Sequence, residues 1–210
     1  NFLKKVRQLC TKKGVVLIFD ECTTGFRKFK KGLHHHYKVI PDLLLYGKSM
    51  GNGYAINAII GKREIMQSAQ NSFISSTFWS ERIGPTAAIS TIKQMQKINS
   101  FDKITKISNK IAKEISKIAK DNHLNLLLDN TPTSINFRLD LTNWMSYKTY
   151  LTQEMLKNGI LSGPSIFVCI DHNDKVMQKY YNNLNKIFKT FSNHINSNKK
   201  IENLLLSKIC

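Results

Sequence analysis

Val15-Val16-Leu17-Ile18-Phe19-Asp20 is an unbroken apolar run with β-branched members, and it ends in a carboxylate. Its length and composition predict a strand buried on both faces, the kind found in a parallel sheet flanked by helices. A second run, Leu43-Leu44-Leu45-Tyr46, is closed by Gly47-Lys48, and a third, Ala55 to Ile60, is closed by Gly61. Residues 21–41, between the first two runs, are long enough for the crossover that parallel strands require. Three buried strands within about fifty residues, parted by glycine-bearing turns, predict part of an α/β sheet.

The second half of the chain changes period. Ile104, Ile107, Ile111, Ile115 and Ile118 recur at steps of three and four, interleaved with Lys103, Lys106, Lys110, Lys113, Lys117 and Lys120. That spacing predicts an amphipathic helix whose lysines form a solvated face. Strands are expected at 134–139 and 166–170, separated by a helix over about 147–157 that stops at Asn158-Gly159. A last helix, from about 175 to 195, is expected to bury Val176, Tyr180, Leu184, Ile187, Phe188 and Phe191. The expected organisation is an α/β part over 1–99 and a smaller α+β domain over 100–210.

A net charge of +18 on 210 residues would suit nucleic acid or an anionic membrane if it were gathered on one face. The lysines instead lie along the whole chain among Asn and Ile, and Arg is scarce and not interleaved with aromatics. No nucleic-acid partner is expected. No apolar run approaches the ~18 residues of a bilayer span, and no basic start precedes an apolar signal core, so no membrane partner is expected and the expected address is the cytoplasm. Cys10, Cys22, Cys169 and Cys210 form no C-x-x-C pair and no metal-ligand cluster, and read as reduced thiols. Because the chain opens on Asn1, directly into a helix-like stretch, a longer parent protein is expected.

Two strand ends carry residues with chemistry: Asp20 finishes the first run and Lys48 follows the second. Ligands of open α/β sheets collect at the carboxyl ends of strands, and neighbouring strands lie ~4.8 Å apart, so an acid and an amine here could face one pocket. A structural ion pair, or two solvated loop residues, would leave the same pattern. Gly47-Lys48-Ser49 is not a phosphate loop of the Walker type, since position 42, where that pattern needs glycine, is Asp. No G-x-G-x-x-G follows a strand. His34-His35-His36 has no acidic or cysteine partner at a ligand spacing, so no metal is expected and a surface loop is the expected setting.

Four motif runs stand in order. They are Leu17-Ile18-Phe19-Asp20-Glu21-Cys22-Thr23-Thr24-Gly25-Phe26-Arg27; Pro41-Asp42 leading to Gly47-Lys48-Ser49-Met50-Gly51-Asn52-Gly53; Ile60-Gly61-Lys62-Arg63-Glu64-Ile65-Met66; and Ser76-Thr77-Phe78. Together they resemble the class III aminotransferases, and most closely the glutamate-1-semialdehyde 2,1-aminomutase branch. The resemblance implies a fold-type-I scaffold using pyridoxal 5'-phosphate, with residues 1–99 as the C-terminal part of its large domain and 100–210 as its small domain. The weaker likeness from Leu161 to Lys189 suits that small domain.

By the same resemblance Lys48 is the amine that holds the cofactor aldehyde as a Schiff base, and Asp20 stands against the pyridine nitrogen. Cys22 would pack on the ring face. Thr23 occupies the place where many members carry Gln beside the ring hydroxyl, and its side chain is shorter. Thr77 would offer its hydroxyl and backbone N–H to the phosphate of the other subunit's cofactor, which implies a homodimer. The sequence departs from the aminomutase pattern after Thr77-Phe78, where Trp79-Ser80-Glu81-Arg82-Ile83-Gly84-Pro85 replaces a short Gly-Asn-Pro turn. Arg27 and Arg82 could clamp a substrate carboxylate or lie exposed. The expected partners are a small-molecule amino donor and an oxo acceptor. The other reading is an inert half-chain that serves dimerisation or scaffolding. The glycine-rich phosphate grip of the family would precede residue 1, so the 210-residue piece alone is expected to bind cofactor poorly.

Overall fold

Parallel pairing of β1 (Ile18–Asp20) with β2 (Leu43–Tyr46), and antiparallel pairing of β2 with β3 (Ala58–Gly61), build the mixed sheet that organises the first half of the computed structural model. The structure describes residues 2–75, 77–78, 80–131 and 133–206. It divides into two compact units, Asn1–Asp102 and Lys103–Cys210. Asn1, Ser76, Trp79 and Cys210, named above, lie outside the described residues.

In the first unit the strand order is β1-β2-β3, with α1 (Phe2–Lys13) before the sheet and a five-residue α2 (Leu33–Tyr37) between β1 and β2. After β3 come α3 (Arg63–Met66), a 3₁₀ turn at Gln67–Asn71 and α4 (Ile83–Lys97), a helix that the hydrophobic pattern had not marked. The core is small: Leu44, Tyr46, Met50 and Ala88, with Phe19, Phe26, Ile56, Ala58 and Ile92 packed against it. Within these 210 residues β1 is covered on one face, where Phe19 meets the core. Val15 and Val16 lie outside β1, and Ile18 and Ile59, which point away from this core, are 52% and 58% exposed. Among the described residues β1 pairs with β2 alone. The third strand is also shorter than expected, at 58–61.

Asp42 fastens this unit. Its carboxylate accepts the Leu17 N–H at 2.7 Å, Arg7 of α1 at 2.8 Å and Lys62, just beyond β3, at 2.7 Å. Those bonds, chiefly the buried one from Leu17 and then those from Lys62 and Arg7, hold its carboxyl well below the usual carboxylate range.

The second unit stacks α5 (Ser100–Asp121), α6 (Trp144–Lys157) and α7 (Asp174–Asn196) with an antiparallel sheet of order β4-β5-β6. Its strands are β4 (Leu126–Thr131), β5 (Ser134–Leu139) and β6 (Ser165–Phe167). The isoleucine stripe of α5 is buried at Ile111, Ile115 and Ile118, and all six interleaved lysines are exposed, as the period requires. On β5, Ile135, Phe137 and Leu139 alternate inward, while Asn136 and Arg138 face out. α7 starts on Asn173, whose side chain accepts the Val176 N–H at 3.1 Å. It buries Tyr180, Leu184, Ile187, Phe188 and Phe191 as expected, but Val176 is outside and Met177 takes the inward position. α6 ends at Lys157, and Gly159 then adopts φ 67°, the left-handed stop that Asn158-Gly159 had signalled. β4 was missed, and the strand expected at 166–170 runs from Ser165 to Phe167.

Candidate functional site

The parallel register sets Asp20 opposite Leu45, so β1 and β2 end on the same edge of the sheet. Asp20 is the last residue of β1, and Lys48 stands two residues past β2. Between them Gly47 is extended and buried. A Cβ there would run into the side-chain oxygen of exposed Asn57, which would have to turn aside, and would lie in ordinary contact, 3.5 Å, with the Cys22 sulfur.

Lys48 opens a 3₁₀ turn, Lys48–Met50, with φ 42°, in the left-handed region that costs a residue with a Cβ about 1–2 kcal/mol. Its carbonyl accepts the N–H groups of Gly51 at 3.1 Å and Asn52 at 3.0 Å, which hold the turn. The side chain is exposed, and its Nζ donates to the Thr23 hydroxyl at 2.5 Å, 25 positions back in sequence.

Asp20 is also exposed. Its Oδ1 accepts the Cys22 N–H at 2.9 Å. That backbone bond, a second from the Cys22 thiol and the charge of Lys48 lower its carboxyl below the ordinary value of 3.8 against a slight opposing desolvation, so the group is an anion throughout the neutral range. Cys22 moves the other way. Desolvation first, then the hydrogen bond and charge of Asp20, raise its thiol above 9.0, which keeps it neutral and unsuited to nucleophilic attack. Asp20, Cys22, Thr23 and Lys48 are therefore one cluster.

Thr77 is not part of it. It lies exposed past the Gln67–Asn71 turn, and no hydrogen bond joins it to the cluster among the described residues. Arg27 turns its Nε to the Thr23 carbonyl at 2.6 Å and braces the loop, its guanidinium pKa lowered by desolvation. Arg82 is exposed at the N-cap of α4.

Two buried neighbours, Glu21 and His34, lie beside this cluster in sequence without a motif of their own. Glu21 is 4% exposed and His34 7%, and their side chains meet at 2.7 Å, so the histidine run is not the surface loop expected of it. His34 is the second residue of the short α2 and its buried one, while His35 and His36 are exposed. The available signal was the second carboxylate directly after Asp20.

The donor set suits pyridoxal phosphate: an exposed primary amine for its aldehyde, a carboxylate anionic at neutral pH for its ring nitrogen, and a neutral thiol and a hydroxyl beside them. Among the described residues, no group of three or more His, Cys, Asp or Glu side chains could hold a metal ion, and no helix is long and apolar enough to cross a membrane.

Comparison with solved structures agrees with this fold. The pyridoxal-phosphate internal aldimine form of the FumI protein of Sphingopyxis sp. MTA144 superposes with a TM-score of 0.85 at 20% identity, over 98% of this chain and 50% of that one. An ornithine aminotransferase of Plasmodium yoelii gives 0.77 at 19% identity, over 91% and 52%. The chain thus has the fold-type-I architecture of pyridoxal-phosphate-dependent transaminases, over about half of its extent. The family model for class-III aminotransferases matches residues 1–129. A 3-aminobutyryl-CoA aminotransferase of Cloacimonas acidaminovorans is 31% identical over 83% of this chain and 44% of its own length. A glutamate-1-semialdehyde 2,1-aminomutase of Wigglesworthia glossinidia brevipalpis is 29% identical over 93% and 49%. The chain belongs to the class-III aminotransferase family, whose members depend on pyridoxal phosphate. It spans about half the length of the curated relatives it matches.

Proposed function

We propose that this chain supplies the amine and carboxylate of a pyridoxal-phosphate site that moves amino groups, either from an amino donor to an oxo acceptor or by a 2,1 shift within one molecule. The observation that carries the reading is the pairing of a left-handed, exposed Lys48 with Thr23 at the edge where β1 delivers an ionised Asp20. The related enzymes named above act as an aminotransferase and an aminomutase, which favours the same class of reaction.

When bound, the cofactor supplies an aldehyde for covalent capture and a cationic ring that draws electrons from the substrate carbon. The Lys48 Nζ amine would hold the aldehyde and, when free, would serve as the base that carries a proton. The Thr23 hydroxyl accepts from that amine and orients it. Asp20 keeps the ring nitrogen protonated by remaining an anion itself, a state fixed by the Cys22 N–H. Cys22 offers the ring a neutral sulfur, and Thr77 its hydroxyl to a phosphate. Residues 1–99 fall to the large cofactor domain and 100–210 to the small one in this reading. A homodimer is part of it, as the likeness of the Thr77 segment to the family implies.

The test is amino transfer by the natural gene product from a panel of amino acids and amino sugars to 2-oxoglutarate, together with a 2,1-shift assay, in wild type and Lys48→Ala. Activity in the wild type that disappears in the variant supports the proposal. Activity that survives Lys48→Ala refutes it, and cofactor-independent inertness of the wild type favours a scaffolding role.

A further inference from the structure

Glu21 lies between Asp20, which ends β1, and Cys22, and it turns inward where Asp20 is exposed. Its backbone N–H donates to the Leu45 carbonyl at 3.0 Å, which ties it to β2, and its carbonyl accepts the Gly25 N–H at 2.7 Å. The carboxylate is almost fully buried. Oε2 accepts the Leu33 N–H at 2.7 Å and the Thr24 hydroxyl at 3.4 Å, and Oε1 accepts the His34 N–H at 2.8 Å and His34 Nδ1 at 2.7 Å. A carboxylate only accepts, so Nδ1 carries the hydrogen of that last bond.

This side chain closes a ring. One end of the 22–33 loop leaves the sheet at Glu21, and the other is brought back to the same carboxylate by Leu33 and His34. Gly32 makes the return possible. At φ 87° and ψ 170° it occupies backbone space that only glycine enters readily, and a Cβ there would sit 2.5 Å from Glu21 Oε2. Thr23 lies within this loop, with its carbonyl braced by Arg27 and its hydroxyl at the Lys48 amine. A buried carboxylate with four donors converging on it costs desolvation, and the fold keeps it at the loop that touches the candidate amine.

We infer that Glu21 is a positioning residue for Lys48: by clasping Leu33 and His34 it fixes the loop so that the Thr23 hydroxyl receives the amine and aims it at the aldehyde it captures. The inference rests on Lys48 being that amine. Its consequence is a coupling. Loss of the clasp slows Lys48 only because Thr23 moves, so the effect vanishes when Thr23 no longer has a hydroxyl.

The experiment measures the rate at which Lys48 of the natural gene product captures pyridoxal phosphate, trapped with borohydride and read by peptide mass, in wild type, Glu21→Gln, Thr23→Ala and the double variant. Glu21→Gln is expected to slow Lys48 about tenfold or more, the order seen when a reacting group is misplaced by under 1 Å, and to add less than about twofold on top of Thr23→Ala. If Glu21→Gln does not fold, His34→Leu takes its place in the cycle, and His34→Gln, which keeps an N–H for Oε1, is expected to restore most of the lost rate. A labelled Lys48 whose rate ignores Glu21, or an equal slowing with and without the Thr23 hydroxyl, overturns the inference. No label on Lys48 in the wild type overturns the underlying reading and this inference with it.

Discussion

Replacing Asp42 by alanine removes three hydrogen bonds from the point where α1, the entry to β1 and the exit from β3 are joined. The Leu17 N–H bond is the largest loss. It is buried, 2.7 Å long and made to an ionised acceptor, so its removal costs about 1.5–3 kcal/mol. The side chains of Arg7 and Lys62 are 20% and 45% exposed, so water replaces much of what they lose, and each contributes under about 1 kcal/mol. Together the loss is about 3 kcal/mol, which accelerates native-state hydrogen exchange at the β1 and β2 amides by roughly a hundredfold. The pH dependence has a definite sign. The folded carboxyl titrates below its unfolded value near 3.8, so its contribution is complete above about pH 5 and is lost only as pH falls through the folded value. The gap between wild type and Asp42→Ala therefore stays level from about pH 7 to 5 and narrows below about pH 4. Acceleration under about threefold at neutral pH, or a gap that closes between about pH 7 and 5, would refute the argument. The same variant loosens the strand register that brings Asp20 and Lys48 to one edge, so cofactor capture at Lys48 should weaken with it.

Other perturbations separate the parts of the account. Gly32→Ala forces a side chain into glycine-only backbone space and against Glu21, and should cost about 2–3 kcal/mol, read as faster exchange at the Leu33 and His34 amides with the second unit unchanged. Phe188→Ala empties a fully buried position between Phe137 and Phe191 and should destabilise the second unit by about 3–5 kcal/mol, measured by exchange at β5. Lys113→Glu on the solvated face of α5 should change stability by less than about 0.5 kcal/mol in denaturant titration.

The second unit was readable because its signals are periodic: the isoleucine steps of α5, the alternation on β5 and the Asn158-Gly159 stop each follow from local geometry. Val176 was misplaced because a helix start offers two adjacent apolar residues, and only tertiary packing chooses Met177. β4 was not legible because Leu126-Leu127-Leu128 is a three-residue apolar run followed by Asp129-Asn130, too short to show a period, and its strand character comes from pairing with β5. In the first unit the three strands and the crossover between the first two were legible, but the start of β1 was not, since Val15 and Val16 continue the apolar run without pairing. At the site, Asp20 and Lys48 were legible as strand-end residues, and Cys22 and Thr23 through resemblance. The Glu21–His34 pair was hidden because its partners are 13 positions apart and meet only when the loop folds back over Gly32.

The most direct measurement is borohydride trapping of the natural gene product with pyridoxal phosphate, followed by peptide mapping and a visible absorption spectrum. The account predicts that the cofactor mass appears on the Lys48 peptide and that both this mark and the visible band vanish in Lys48→Ala. A band that persists in the variant, or a label that settles on other lysines and leaves Lys48 unmodified, would contradict it.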